Sequence, residues 1–327
     1  MPRTKGSTSA TNDGGTAIVS SDKAERTTSV TSRKSKKRRS KGYGTTFLLV
    51  GPFLVAFALF YILPVLSAIY LSLFIKKRTL TGRSVDVFGG FANYARAFSD
   101  QDFLHSLSNV ISFCAVVIPI SVGAAIILAL ILDEASGRIL KAGRTLLMLP
   151  YTIPVAIGSL LWGYLYSRNV SPINFVIDQL HLQKVDFLAP NLLVGAIANV
   201  VIWAWTGYNM VGIYTALQGI PRDLYEAAKI DGAGRFAVIR HIKLPLVMPA
   251  VRVVLLFAVI GTSQIFGEPF ILRSLGYVPE NITPNLYIYW IAQRDANYSY
   301  SAALAVILAV IVFAITLLMF RRPVKKS

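Results

Sequence analysis

Six blocks of mostly apolar residues alternate with short polar stretches, at about 46–74, 107–132, 146–166, 192–217, 247–270 and 302–320. A helix needs roughly 20 predominantly apolar residues to cross a bilayer, so the pattern predicts six spanning helices. The second block, "NVISFCAVVIPISVGAAIILALIL", and the sixth, "AALAVILAVIVFAITLLMF", are the cleanest. The third is short and interrupted by Pro150 and Pro154, and the fifth carries Arg252, Gln264 and Glu268, which blurs its limits. Residues 1–45 are rich in Ser, Thr, Gly and charge with almost no large apolar side chains, a composition that predicts disorder. That segment is too long and polar to open a signal peptide, so the first span is expected to stay as an anchor. The pattern divides the chain into a basic tail (1–45), a first span with an outer segment (46–104), a five-span core (105–320) and a second basic tail (321–327).

Composition agrees. The chain has 327 residues, 54% hydrophobic and 15% charged, where soluble domains carry roughly a quarter charged residues. The fold class is therefore an all-α integral membrane protein with six transmembrane helices. The net charge of +17 is concentrated in "RKSKKRRSK" (33–41) and "RRPVKK" near the C-terminus, both flanking spans. Such basic flanks mark the cytoplasmic side and meet anionic headgroups, so the charge points to membrane lipid and not to nucleic acid. Six spans put both basic termini in the cytoplasm, together with the connections holding Arg138, Lys141 and Arg144, and Arg222, Lys229, Arg235, Arg240 and Lys243. Lys76, Lys77 and Arg78 run against this assignment, following the first span on the outer side. Arg252, near the start of its span, is expected to snorkel to the cytoplasmic headgroups.

No catalytic chemistry is visible. There is no G-x-x-x-x-G-K-[ST], H-E-x-x-H, C-x-x-C or G-x-S-x-G; His105, His181 and His241 are scattered, and Cys114 is the lone cysteine. The chain is expected to bind no metal and no cofactor.

One polar insert is patterned. In "IPRDLYEAAKIDG", Pro221 suits the first turn of a helix and Asp223 complements the positive end of its dipole. Ile220, Leu224, Ala227 and Ala228 recur at helical spacing, and Gly232 is placed to end the helix. "GRFAVIRHIKLP" resumes as a second short helix, with Phe236, Ile239 and Ile242 on one side and Pro245 expected to stop it before the fifth span. The insert reads as a helix–turn–helix whose small residues, Ala227, Ala228, Gly232 and Gly234, let another surface come close. An amphipathic loop lying on the membrane gives the same pattern.

The stretch from Glu226 to Pro245 resembles the E-A-A loop of permease subunits of binding-protein-dependent ABC importers. That pattern, E-A-A, three residues, G, nine residues, I-x-L-P, is met at Glu226, Ala227, Ala228, Gly232, Ile242, Leu244 and Pro245. "GGFANYARAFSDQDFLHSLSNV", "RTLLMLPYTIPVAIGSLLWGYLYS", "ALQGIPRDLYEAAKIDGA" and "YSYSAALAVILA" are similar to segments of the sugar-type branch (maltose and glycerol-3-phosphate permeases), so the likeness covers about 46–320. "FGEPFILRSLGYVPENITPN" departs from it, lacking the usual glycine-rich turn.

The resemblance implies a type I importer permease in a bacterial cytoplasmic membrane. It implies a second, homologous permease, two ATPase subunits that use ATP, and an extracytoplasmic solute-binding protein. It makes 221–245 a cytoplasmic coupling helix. There Glu226 meets a basic residue of the ATPase groove, Ala227 and Ala228 form the packed face, Gly232 makes the turn, and Ile242, Leu244 and Pro245 complete the motif. A local pair of Glu226 with Lys229 is the other reading of that carboxylate. Polar residues inside spans tend to face a cavity or a partner. Asn199, Trp203, Asn209, Gln264 and Glu268 are the candidates for the substrate path, with helix–helix hydrogen bonding as the alternative. A carbohydrate is the expected cargo, since aromatic faces and amides suit sugar rings and hydroxyls. A secondary transporter of a small polar solute would need an internal repeat, and a membrane enzyme would need clustered catalytic groups. Neither is visible.

Overall fold

The computed structural model describes residues 42–78, 84–134, 137–168 and 170–321. The first 41 residues, with most of the segment expected to be disordered, and 322–327 of the C-terminal tail lie outside the described residues. Two compact units divide the chain, one ending at Leu54 and one beginning at Val55. The described part of the first is helical from Gly42, and its apolar side chains, such as Leu48 and Leu49, are exposed. Apart from the start of α1, everything below concerns the second unit.

The helix α1 (Gly42–Phe57) passes through a π-helical turn (Ala58–Ile62) into α2 (Leu63–Ser72). An antiparallel hairpin follows, β1 (Phe74–Arg78) and β2 (Ser84–Phe88), with Phe74 opposite Phe88. After α3 (Ala92–Ala97) comes α4 (Gln101–Glu134), a single 34-residue helix. The Asn-Tyr pair of the sequence pattern has a local function here. Buried Asn93 donates to the carbonyls of Ser72 (2.9 Å) and Phe74 (2.6 Å), and the Tyr94 hydroxyl meets Ser72 Oγ at 2.6 Å. The Asn93 amide thus satisfies the last carbonyl of α2 and the first of β1.

The remaining elements are α5 (Gly137–Thr152), α6 (Val155–Tyr166), α7 (Pro172–Gln179), α8 (Leu193–Gln218), α9 (Arg222–Ile230) and α10 (Arg235–Val238). A second π-helical turn (Ile239–Lys243) leads into α11 (Leu244–Ser263), followed by α12 (Gly267–Leu272), α13 (Pro284–Gln293) and α14 (Tyr298–Phe320). Among the described residues five helices are long and apolar enough to span a membrane, and the bent pair α5–α6, taken as one span, makes a sixth. The pair is bent by 94° at the step from Thr152 to Val155, where Pro154 deprives the chain of a helical N–H.

The expectation that Pro245 stops a short helix is corrected: helix continues from Arg235 through Pro245 into the fifth span. A proline ring clashes with the carbonyl four residues back. The preceding turn widens to avoid this, the Leu244 N–H bonding to the Ile239 carbonyl five residues back. The same device carries the first span past Pro64, with the Leu63 N–H on the Ala58 carbonyl. The hairpin, α7 and α13 were not foreseen as elements.

Packing centres on α4 and α8. Ala125 and Ala129 of α4 are fully buried against Met210, Ile213 and Leu217 of α8 and Val247 of α11. Small side chains allow this closeness, which matters where lipid offers no hydrophobic drive. At the opposite end Asp100 accepts from the hydroxyls of Tyr287 (2.9 Å) and Tyr300 (2.6 Å), tying the start of α4 to α13 and α14. Lys76 donates to the carbonyl of Ala296 at 2.7 Å, so one of the three discordant basic residues has a structural anchor.

Candidate functional site

Two helix breaks border one space, one break between α5 and α6 and one at Gln264–Phe266 between α11 and α12. Between them lies a cavity of about 600 Å³ walled by α4, α8 and the broken ends. Interrupted spanning helices can surround a site because their irregular backbone is tolerated where it lines a cavity.

Four of the five candidate residues line it: Trp203, Asn209, Gln264 and Glu268. Asn209 is buried and donates to Ser121 Oγ at 3.1 Å, fixing the amide against α4. Glu268 is 8% exposed. The Gln264 carbonyl accepts from Asn285 Nδ2 at 2.8 Å, anchoring the break. The fifth candidate, Asn199, lies outside this cavity's lining and donates to the Tyr166 hydroxyl at 2.8 Å, an interhelical hydrogen bond of the kind given as the alternative.

Sequence reasoning missed most of the aromatic wall. Tyr151 stacks on Tyr208 with ring centroids 4.4 Å apart and packs edge-on to Trp205 at 5.3 Å, and all three line the cavity. Trp203 stands edge-on to Trp162 at 5.8 Å. The run "WAWTGYN" held the signal, but in a helix apolar on every side an aromatic facing a cavity reads like one facing lipid. What the cavity offers is flat ring faces, one carboxylate and side-chain amides.

At the other end of α4 and α8, α9 ends on Gly232 at φ +72°. The Ala233 N–H bonds to the Ala228 carbonyl at 2.9 Å, the six-to-one bond of a Schellman cap, which needs a left-handed residue at this place. A side chain at Gly232 would meet nothing within 4 Å. The constraint there is backbone conformation, so bulk alone does not explain the glycine. Gly234 has φ −72° and needs no glycine.

Glu226 and Ala227 are exposed and Ala228 is half-buried. Glu226 forms no ion pair among the described residues, with Lys229 or any other partner. Leu224, Ile230 and Phe236 are also exposed, at 42%, 87% and 75%. Ile242, Leu244 and Pro245 lie apart from this tip, in the second π-helical turn and the base of α11. Tyr225 has a buried hydroxyl without a partner among the described residues; burial first and the Asp133 charge second push its phenol up, so it stays neutral.

Residues 87–322 match the family described as the inner membrane component of binding-protein-dependent transport systems. The chain belongs to that family. The lactose transport system permease protein LacF of Rhizobium radiobacter is 32% identical over 303 residues, covering 89% of this chain and 97% of LacF. The trehalose/maltose permease protein MalF of Thermococcus litoralis is 29% identical over 288 residues, 87% and 94% of the two chains. The sn-glycerol-3-phosphate permease protein UgpA of Agrobacterium fabrum is 29% identical over 282 residues, 84% and 93%. In fold, the permease matches a chain of a bacterial alginate ABC transporter, solved with a periplasmic protein, at a TM-score of 0.74, with 23% identity and 87% and 96% coverage. It is thus a mostly helical membrane permease of the ABC importer type, and this reading is favoured over a secondary transporter.

Proposed function

We propose that this permease forms part of the path by which an ABC importer moves a carbohydrate inward across the bacterial cytoplasmic membrane. The observation that carries the reading is the aromatic cavity at the two helix breaks. Its rings suit the apolar faces of sugars, while Asn209, Gln264 and Glu268 suit hydroxyls. Relatives named for lactose and trehalose/maltose support the same class of cargo. A homologous permease would supply the facing wall, and a solute-binding protein would deliver the sugar from outside. ATP would be bound and hydrolysed by two separate subunits, this chain holding no cofactor. Both termini would lie in the cytoplasm.

The exposed tip from Glu226 to Gly232 would dock in the groove of one ATPase subunit, its carboxylate meeting a cation and Ala227 and Ala228 packing closely. Exposed Ile230 and Phe236 and the unpaired Glu226 support a tip shaped for a surface outside this chain.

The test is sugar uptake by the assembled transporter alongside co-purification of its ATPase. Trp203→Ala is expected to lower uptake about tenfold while the ATPase stays bound, the loss of one stacking face being worth roughly 1–1.5 kcal/mol. Glu226→Lys and Gly232→Pro are expected to insert normally and to lose the ATPase or its stimulation by loaded binding protein. Normal ATPase binding and normal uptake in both would sink the docking assignment, and normal uptake in Trp203→Ala would sink the cavity assignment.

A further inference from the structure

The two legs of the loop that carries α9 and α10 meet on one side chain, Asp133, in the last turn of α4. On the incoming leg, Gln218, the last residue of α8, donates through Nε2 to Asp133 Oδ1 at 2.8 Å. On the outgoing leg, Lys243, the last residue of the second π-helical turn, places Nζ 2.7 Å from Asp133 Oδ2. Both side chains of the ion pair are nearly buried, at 8% and 11% exposure, unlike the looser contacts of Glu134 with Lys243 (3.9 Å) and with Arg235 (3.8 Å), the latter 90% exposed. The Tyr225 ring, on α9 itself, lies 5.8 Å from the same ammonium. From Asp133 the helix α4 runs back without a break to Ser121 and Val117, which line the cavity.

We propose that Asp133 is a positioning residue that clasps both legs of the loop to α4, so that displacement of the loop moves the cavity wall. This rests on the reading of the loop as the ATPase-docking element. A buried ion pair is a poor source of stability, since an apolar pair of similar volume often serves as well. It holds direction and register, however, because the carboxylate binds two donors at fixed angles. An exposed loop joined to a membrane helix by apolar contact alone could slide. One held at both roots by a single carboxylate has to carry that helix with it.

The inference separates positioning from mere stability through four variants in the assembled transporter, each measured for membrane level, ATPase co-purification, stimulated hydrolysis and sugar uptake. Lys243→Met is expected to keep the ATPase bound and to raise the ATP hydrolysed per sugar imported by about tenfold, within the range for mutations that alter coupling. Gln218→Leu, which frees one leg and leaves Asp133 paired with Lys243, is expected to raise it about threefold. Asp133→Leu with Lys243→Met keeps the packing and is expected to insert normally and remain uncoupled. Asp133→Lys with Lys243→Asp re-forms the pair, since Gln218 can turn its amide oxygen to the new lysine, and is expected to restore coupling to within threefold. A natural ATP-to-sugar ratio in Lys243→Met and Gln218→Leu, or in the double apolar variant, would overturn the proposal. So would a charge exchange that binds ATPase yet couples no better than Lys243→Met. If Glu226→Lys and Gly232→Pro transport normally, the docking reading fails first; if they lose the ATPase while the Asp133 variants couple normally, only the clasp fails.

Discussion

At the scale of single residues, Gly207 is the glycine with the least room for a side chain among the described residues. A Cβ added at Gly207 of α8 would sit 1.8 Å from the Leu147 carbonyl oxygen and 2.6 Å from its carbon, both on the backbone of α5. No rotamer change relieves a clash with backbone, so Gly207→Ala has to push α5 away from α8. Overpacking of this kind costs about 1–3 kcal/mol. The displaced strip includes Tyr151, which stacks on Tyr208 in the cavity wall. Gly195, in the same helix, has nothing within 4 Å, so Gly195→Ala is the matched control and is expected to be neutral or to stabilise by up to about 1 kcal/mol. Thermal unfolding of the two purified variants, with uptake, checks this. A Gly207→Ala melting point equal to that of Gly195→Ala would show that the contact relaxes freely.

Elements show what composition can and cannot convey. The fourth span was expected at 192–217 and is found at Leu193–Gln218, because a block of twenty apolar residues has few alternatives to a spanning helix. The helix-ending character of Gly232 was equally legible, since glycine after a periodic stretch is a local backbone signal. The proline at 245 misled because proline constrains the carbonyl four residues back, and a widened turn satisfies it without ending the helix. α13 escaped notice because ten residues carry too little apolar length to read as a span. The cavity was half legible. Amides and a carboxylate stand out in an apolar background, whereas Tyr151, Trp205 and Tyr208 do not, and whether Asn199 faces a cavity or another helix is decided by contacts far apart in sequence. The loop also supplies a paired test. Gly232 and Gly234 both face open space, but only Gly232 has positive φ. Gly232→Ala is expected to cost about 1 kcal/mol of local stability and Gly234→Ala none. Limited proteolysis of the loop reads the difference; equal cleavage of both would mean the left-handed turn does not hold the tip.

On the scale of the whole molecule, α4 serves as a ruler through the membrane. Its 34 residues extend about 50 Å at 1.5 Å per residue, enough to cross a bilayer in one pass. At its first turn Asp102 accepts from Asn281 Nδ2 at 2.7 Å, and at its last turn Asp133 and Glu134 share a pocket with Ala233. Asn281 and Ala233 therefore mark opposite ends of one spanning helix, whatever the orientation of the chain. Charge predicts the orientation: Lys229, Arg235, Arg240 and Lys243 gather near the Ala233 end, and basic residues accumulate on the cytoplasmic side of membrane proteins. At the other end Lys76 runs against the trend, its ammonium held by the Ala296 and Asp295 carbonyls. Single cysteines at the two positions, in a Cys114→Ala background, are expected to react with a membrane-impermeant maleimide from opposite sides. Ala233→Cys should label only in inside-out vesicles and Asn281→Cys only in right-side-out vesicles. Labelling of both from one side would contradict the single pass of α4, and labelling of each from the reverse side would keep the fold while inverting the orientation, moving the docking tip away from any cytoplasmic ATPase.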